Sequence, residues 1–158
     1  MNSKSILFVC LGNICRSPTA EAVFRQRAKE FAYLDILIDS AGTGAWHVGE
    51  SPDERSQTVG AQRGYPMSDL RARQVRPEDF EQFDYILAMD KSNLSNLQQL
   101  APPGYQGELR LFLDYAQLPE SEVPDPYYTS GDRGFHEVID LIESASEGLL
   151  QHLSQAGK

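Results

Sequence analysis

The sequence predicts an α/β fold: a four-stranded parallel sheet covered by helices on both faces, in a single domain spanning residues 1–158. Short continuous apolar runs, the pattern of strands buried on both faces, alternate along the chain with longer stretches whose apolar residues recur at helical spacing. That alternation builds a parallel sheet through right-handed crossovers. No repeat, low-complexity tract or linker divides the 158 residues, and a chain of this size buries about two-thirds of its unfolded surface.

Ser5-Ile6-Leu7-Phe8-Val9 is the first apolar run, and a turn begins where it stops, at Cys10-Leu11-Gly12-Asn13. Ser17 followed by Pro18 reads as an N-cap with proline in the first helical position, and Ala20, Val23, Phe24, Arg27 and Phe31 continue as a stripe in which only Arg27 is polar. The second strand is Ile36-Leu37-Ile38, ending at Asp39-Ser40-Ala41-Gly42. Ser51-Pro52-Asp53-Glu54 has the spacing of a capping box and opens a helix that Gly64 can end, although Gly60 is unfavourable inside it. Tyr85-Ile86-Leu87-Ala88-Met89 is a third strand. Asp90 caps the next helix, which carries Leu94, Leu97 and Leu100 on one side and stops at Pro102-Pro103-Gly104. Leu109, Leu111 and Leu113 alternate as a fourth strand, with Phe112 between them indicating burial on both faces. After a long loop, Phe135, Val138, Ile142, Ala145 and Leu149 line a final helix.

Composition narrows the class of partner. With 14 Lys+Arg against 23 Asp+Glu the net charge is −9, which argues against wrapping nucleic acid. The longest apolar stretch near the start, residues 6–11, is far short of the ~20 residues of a membrane span. No basic segment followed by a long apolar run precedes it, so a cytoplasmic protein is expected. The two cysteines fit no zinc spacing, and His47, His136 and His152 have no ligand spacing and default to surface or core. Neither metal nor cofactor is expected.

Ligands of such sheets bind at the carboxyl ends of the strands. Residues 10–17, Ser40, Asp90 and the loop containing Asp125 are thereby brought to one edge. Cys10-Leu11-Gly12-Asn13-Ile14-Cys15-Arg16-Ser17 places a thiol six residues before a guanidinium, in a loop that curls into a helix start. Backbone N–H groups at such a start carry the positive end of the helix dipole and cradle an anion, making this a phosphate-binding loop after the first strand. Thiols in that setting ionise readily. Cys10 is therefore read as a nucleophilic thiolate and Arg16 as a two-pronged clamp on phosphate oxygens. Breaking a phosphate ester also needs a proton for the leaving oxygen, and Asp125, stiffened between Pro124 and Pro126, is the candidate acid.

With Asp125-Pro126-Tyr127-Tyr128 downstream, the segment from Val9 to Pro18 resembles the low-molecular-weight protein tyrosine phosphatases. Segments of the right kind also fall in order at Asp39-Ser40-Ala41-Gly42, Trp46 with Val48-Gly49, Ser51-Pro52-Asp53, Ala72-Arg73-Gln74 and Met89-Asp90 with Asn93. The resemblance implies a metal-independent hydrolase acting on phosphotyrosine-containing proteins, with Cys10 as nucleophile, Arg16 as clamp and Asp125 as acid, then base. It implies that Ser17 supports the thiolate, that Asn13 fixes the loop with Ser40 as its bonding neighbour, and that Leu11, Trp46, Tyr127 and Tyr128 line the slot for the substrate ring. One departure is Leu70, where some relatives carry a histidine two residues before the Ala-Arg-Gln segment.

Two other chemistries fit the loop less well. An arsenate reductase needs further cysteines to resolve its adduct, and a phosphocysteine carrier protein should lack an acid aimed at the loop. Cys15, five residues after Cys10, is expected to capture oxidised Cys10 as a disulfide and so to confer redox regulation.

Overall fold

The computed structural model describes residues 3–128 and 131–156, the side chains of Tyr128 and Ala156 excepted. The chain runs β1 (Ser3–Cys10), α1 (Arg16–Ala28), β2 (Asp35–Gly42), α2 (Glu54–Gln62), α3 (Asp79–Gln82), β3 (Tyr85–Ala88), α4 (Lys91–Leu100), β4 (Glu108–Leu111) and α5 (Arg133–Ala156), with short 3-10 turns at Lys29–Phe31, Phe112–Tyr115 and Pro126–Tyr128. The four strands form one sheet in the order β2-β1-β3-β4, every pair parallel. Cys10 stands beside Gly42, Val9 beside Ala88, and Ala88 beside Leu111, so the carboxyl ends share one edge as expected.

Strand alternation divides the core into two. Ile6 and Phe8 point to one face, where Phe8 packs against Phe24 of α1 and Phe112, with ring centroids 5.6 and 4.8 Å apart, over Ile139, Ile142 and Leu149 of α5. Leu7, Val9, Ile86 and Ala88 point to the other, against Phe80 of α3, Phe83, and Leu97 of α4. The sheet is covered on both sides, which is why its central strands read as unbroken apolar runs.

Several boundaries differ from the sequence reading. Helix α1 begins at Arg16, and its N-cap is Cys15, with no side-chain cap; the first turn is closed by Thr19 N–H on the Cys15 carbonyl at 3.3 Å. The Ser17 hydroxyl turns instead toward Cys10. Helix α2 starts two residues late because Asp53, not Ser51, is its cap, its carboxylate accepting from the Arg55 amide at 2.8 Å. Gly60 is explained by packing: a Cβ there would lie 2.8 Å from the Tyr65 carbonyl oxygen. The short helix α3 has no counterpart in the reading. Strand β3 stops at Ala88, one residue before Met89, and β4 stops at Leu111. Phe112 and Leu113 are both buried because the chain tightens into a 3-10 turn, which aims consecutive side chains inward where a strand would alternate them.

Candidate active site

The loop that follows β1 is fixed by its own polar side chains. Asn13 takes a left-handed conformation (φ 58°), which asparagine tolerates better than most residues. Its carboxamide is fully used: Nδ2 donates to Ser17 Oγ at 2.8 Å and Ser40 Oγ at 3.0 Å, and Oδ1 accepts from the Arg73 amide at 3.0 Å. The Ser40 hydroxyl donates to Glu21 Oε1 at 2.7 Å, and Arg25 donates to Glu21 Oε2 at 2.7 Å. Gly42 lets β2 approach the loop, since a Cβ there would sit 2.7 Å from the Leu11 carbonyl oxygen.

Inside this frame Cys10 Sγ lies 3.0 Å from Ser17 Oγ and accepts from the Asn13 amide at 3.3 Å. The amides of Leu11, Gly12, Ile14, Cys15, Arg16 and Ser17 have no acceptor among the described residues. Helix first-turn amides are orphaned by geometry, and here the loop adds more, so a row of N–H donors is left to bind an anion. Arg16 is 2% exposed; Nη1 donates to Asp90 Oδ2 at 2.7 Å and to the Val123 carbonyl at 3.0 Å, while Nη2 lies 3.7 Å from Asp125 Oδ2. Burial alone would discourage the guanidinium charge, but Cys10, Asp90 and Asp125 outweigh it and raise the Arg16 pKa. Cys15 is held in its neutral form: burial, with Asp53 adding to it, pushes its thiol up to about 12.

Cys10, Leu11, Gly12, Ile14, Cys15, Arg16, Trp46, His47, Asp125 and Tyr127 line one cavity at the carboxyl edge of the sheet. The sequence-predicted Cys10, Arg16 and Asp125 are thus brought together, with Leu11, Trp46 and Tyr127 as partly exposed walls. Asn13, Ser17 and Ser40 lie beneath as a hydrogen-bonded support. The expected role of Tyr128 falls on a side chain outside the described residues. His47, assigned by default to surface or core, instead lines the cavity beside Tyr127, with ring centroids 6.2 Å apart and Nδ1 3.2 Å from Glu50 Oε2. Leu70 is partly buried against the core.

Sequence reasoning missed three further contributors. Asp90 is expected at this edge and as a helix cap, but its bond to Arg16 is not legible from the sequence. Glu21 is a carboxylate 3% exposed within α1, and no pattern marks it because the first turns of that helix are buried all round. Arg73 bonds Asp79, 1% exposed, through both terminal nitrogens at 3.0 Å, which fixes the segment whose amide holds Asn13. Among the described residues no cluster of His, Cys, Asp and Glu could hold a metal ion, and no helix is long and apolar enough to cross a membrane.

Residues 5–158 match the family model described as low molecular weight phosphotyrosine protein phosphatase. The chain is 41% identical over 148 residues to the low molecular weight protein-tyrosine-phosphatase PtpA of Staphylococcus epidermidis, a match covering 94% of this chain and 92% of that one. It is 43% identical over 153 residues to the low molecular weight protein-tyrosine-phosphatase YfkJ of Bacillus subtilis, covering 96% of each. The crystal structure of a protein tyrosine phosphatase from Entamoeba histolytica with Hepes in its active site superimposes with a TM-score of 0.92 at 42% identity, covering 98% of this chain and 99% of that one. With matches of this extent in sequence and in structure, the chain belongs to the low molecular weight phosphotyrosine protein phosphatase family.

Proposed function

We propose that the protein, as one phosphatase domain over residues 1–158 in the cytoplasm, hydrolyses phosphotyrosine in proteins, and small aryl phosphates, through a phosphocysteine intermediate. The observation that carries this reading is the convergence of a thiol, a buried guanidinium and a carboxyl group on one cavity, beside loop amides that have no acceptor among the described residues.

The non-bridging phosphate oxygens accept from those amides and from Arg16, a match to the charge that phosphoryl transfer spreads over three oxygens. Cys10 Sγ attacks phosphorus, the bond to the tyrosyl oxygen breaks, and Asp125 delivers the proton that oxygen takes. Asp125 then removes a proton from water, the resulting hydroxide displaces Cys10 Sγ from phosphorus, and inorganic phosphate leaves. Ser17 Oγ, 3.0 Å from Cys10 Sγ, stabilises sulfur both as attacking thiolate and as leaving group. Positive charge comes from Arg16 and from amide dipoles, so no metal has a part in these steps. The ring of the substrate lies between Leu11, Trp46 and Tyr127, with Tyr128 carried as a further wall on the family resemblance.

Both competing chemistries are disfavoured by specific residues. An arsenate-reductase-like cycle would have to resolve its adduct with Cys10 and Cys15 alone. A phosphocysteine carrier has no use for the carboxyl group of Asp125 in its cavity. Initial rates on phosphotyrosine, phosphoserine and small aryl phosphates, with and without a chelator, test the proposal. Chelator-insensitive turnover of the aryl esters far above phosphoserine is expected; comparable kcat/KM for phosphoserine, or loss of activity to the chelator, would contradict it.

A further inference from the structure

A general acid carried on a loop works only if the loop is fixed relative to the nucleophile, because a displacement of about 1 Å can cost a hundredfold in rate. The loop bearing Asp125 is anchored before that residue at Val123, whose amide donates to the Met89 carbonyl at 2.8 Å and whose carbonyl accepts from Arg16. After Asp125, the Tyr127 amide donates back to Asp125 Oδ1 at 3.0 Å. That bond orients the carboxyl group within its own loop and leaves open what holds this side of the loop in place.

Arg55 does so. Its Nη2 donates to the Tyr127 carbonyl at 2.9 Å, and its guanidinium lies over the Tyr127 ring, 5.9 Å from the centroid, and over Phe135 in the first turn of α5, at 4.7 Å. Asp53 fixes the guanidinium in turn, accepting from Arg55 Nε at 3.3 Å with the same oxygen that caps α2. The Asp53 amide then donates to the carbonyl of Ile14, which lines the cavity in the phosphate loop, at 2.8 Å. A continuous path therefore runs from the Ile14 carbonyl through Asp53, Arg55 and Tyr127 to the carboxyl group of Asp125. Arg55 is not among the residues lining the cavity.

The geometry points to Arg55 as a positioning residue that sets Asp125 against the phosphate loop, so that proton delivery to the leaving oxygen depends on it. This rests on the reading of Asp125 as the general acid. Arginine suits the place because one planar group both stacks on two rings and forks between a carboxylate and a carbonyl, which an ammonium cannot do.

The test is kcat/KM, which reports the steps through phosphocysteine formation, across aryl phosphates whose phenols range from strongly acidic to unsubstituted. Arg55→Ala should lose about tenfold on phenyl phosphate and less than about threefold on the ester of the most acidic phenol, since only the poor leaving group needs the proton. Arg55→Lys and Arg55→Gln, which keep a donor for the Tyr127 carbonyl, should fall between Arg55→Ala and the parent, and they carry the test should Arg55→Ala fail to fold. Asp125→Asn in the same series distinguishes the two claims. A uniform loss in Arg55→Ala beside a graded loss in Asp125→Asn would overturn the positioning role alone. A uniform loss in Asp125→Asn would overturn the assignment of the acid, and the role of Arg55 with it.

Discussion

Asp90 divides its two carboxylate oxygens between Arg16 and a helix: Oδ2 accepts from Arg16 Nη1 at 2.7 Å, and Oδ1 accepts from the Asn93 amide at 2.8 Å, capping α4. Arg16, proposed above as the phosphate clamp, is thereby held by a helix start rather than by a free side chain. Asp90→Asn should keep much of the cap but lose the ion pair, lowering kcat/KM about tenfold with little change in melting temperature. Asp90→Ala should lower activity similarly and cost about 1 kcal/mol more in stability through the lost cap. Initial rates and thermal unfolding on the two variants check this; an unchanged kcat/KM in Asp90→Ala would detach Asp90 from the clamp.

Glu21 lies at the far end of the hydrogen-bond chain that supports the loop. Its carboxylate receives Ser40 Oγ and Arg25, so removing it leaves a buried hydroxyl without its acceptor. Glu21→Ala should cost about 1–3 kcal/mol in urea unfolding and lower kcat, because Asn13 loses a fixed neighbour. Arg25→Ala, at a side chain 49% exposed, should cost less. Equal activity in Glu21→Ala and the parent would confine Glu21 to packing.

Much of this architecture was legible in the sequence because buried parallel strands leave unbroken apolar runs, and because Asp90 marks its helix by a short-range bond to Asn93. The helix caps were harder. Ser17 and Ser51 both precede or adjoin proline in the pattern of a cap, but the Ser17 hydroxyl is claimed by Cys10 and Asn13 from outside the helix, and Asp53 out-competes Ser51 with a stronger acceptor bonded to Arg55. Within the site, the meeting of Cys10, Arg16 and Asp125 in one cavity was legible because Cys10 and Arg16 share the loop after the first strand and Asp125 follows the fourth, and parallel strands bring both loops to one edge. His47, Glu21 and Arg55 were not, since each acts through contacts between segments distant in the chain that no local spacing encodes.

Cys15 carries an expectation that its environment now makes specific. Its thiol is pushed up to about 12, so capture of oxidised Cys10, which requires the Cys15 thiolate, should quicken about tenfold per pH unit between pH 7 and 9. Mass analysis of the internal disulfide after mild peroxide, with activity recovered by dithiothreitol, follows the reaction; equal recovery in Cys15→Ser would leave Cys15 a packing role. The same shift bears on stability. The folded state holds the proton more tightly than the ordinary value of 9.0 allows, so its contribution is complete below about pH 9 and is lost as pH rises toward 12. Tyr105 and Tyr115, also pushed to about 12 by burial, act in the same direction, and alkaline unfolding followed by circular dichroism should be less steep in Cys15→Ala.

Trp46 is 71% exposed on the cavity wall, so its removal should barely affect stability. Trp46→Ala should raise KM for a phosphotyrosine peptide several-fold while leaving kcat on a small aryl phosphate within about twofold. Equal losses on both substrates, measured side by side, would remove Trp46 from the ring slot.

Every step of the proposed reaction depends on the passage of phosphate through Cys10. Acid quenching during steady turnover of an aryl phosphate, followed by digestion and mass analysis, tests it most directly. A phosphoryl group is expected on the peptide containing Cys10, and none when Cys10→Ser is treated identically. A phosphoryl group on another residue, or turnover by Cys10→Ser at the parent rate, would contradict it.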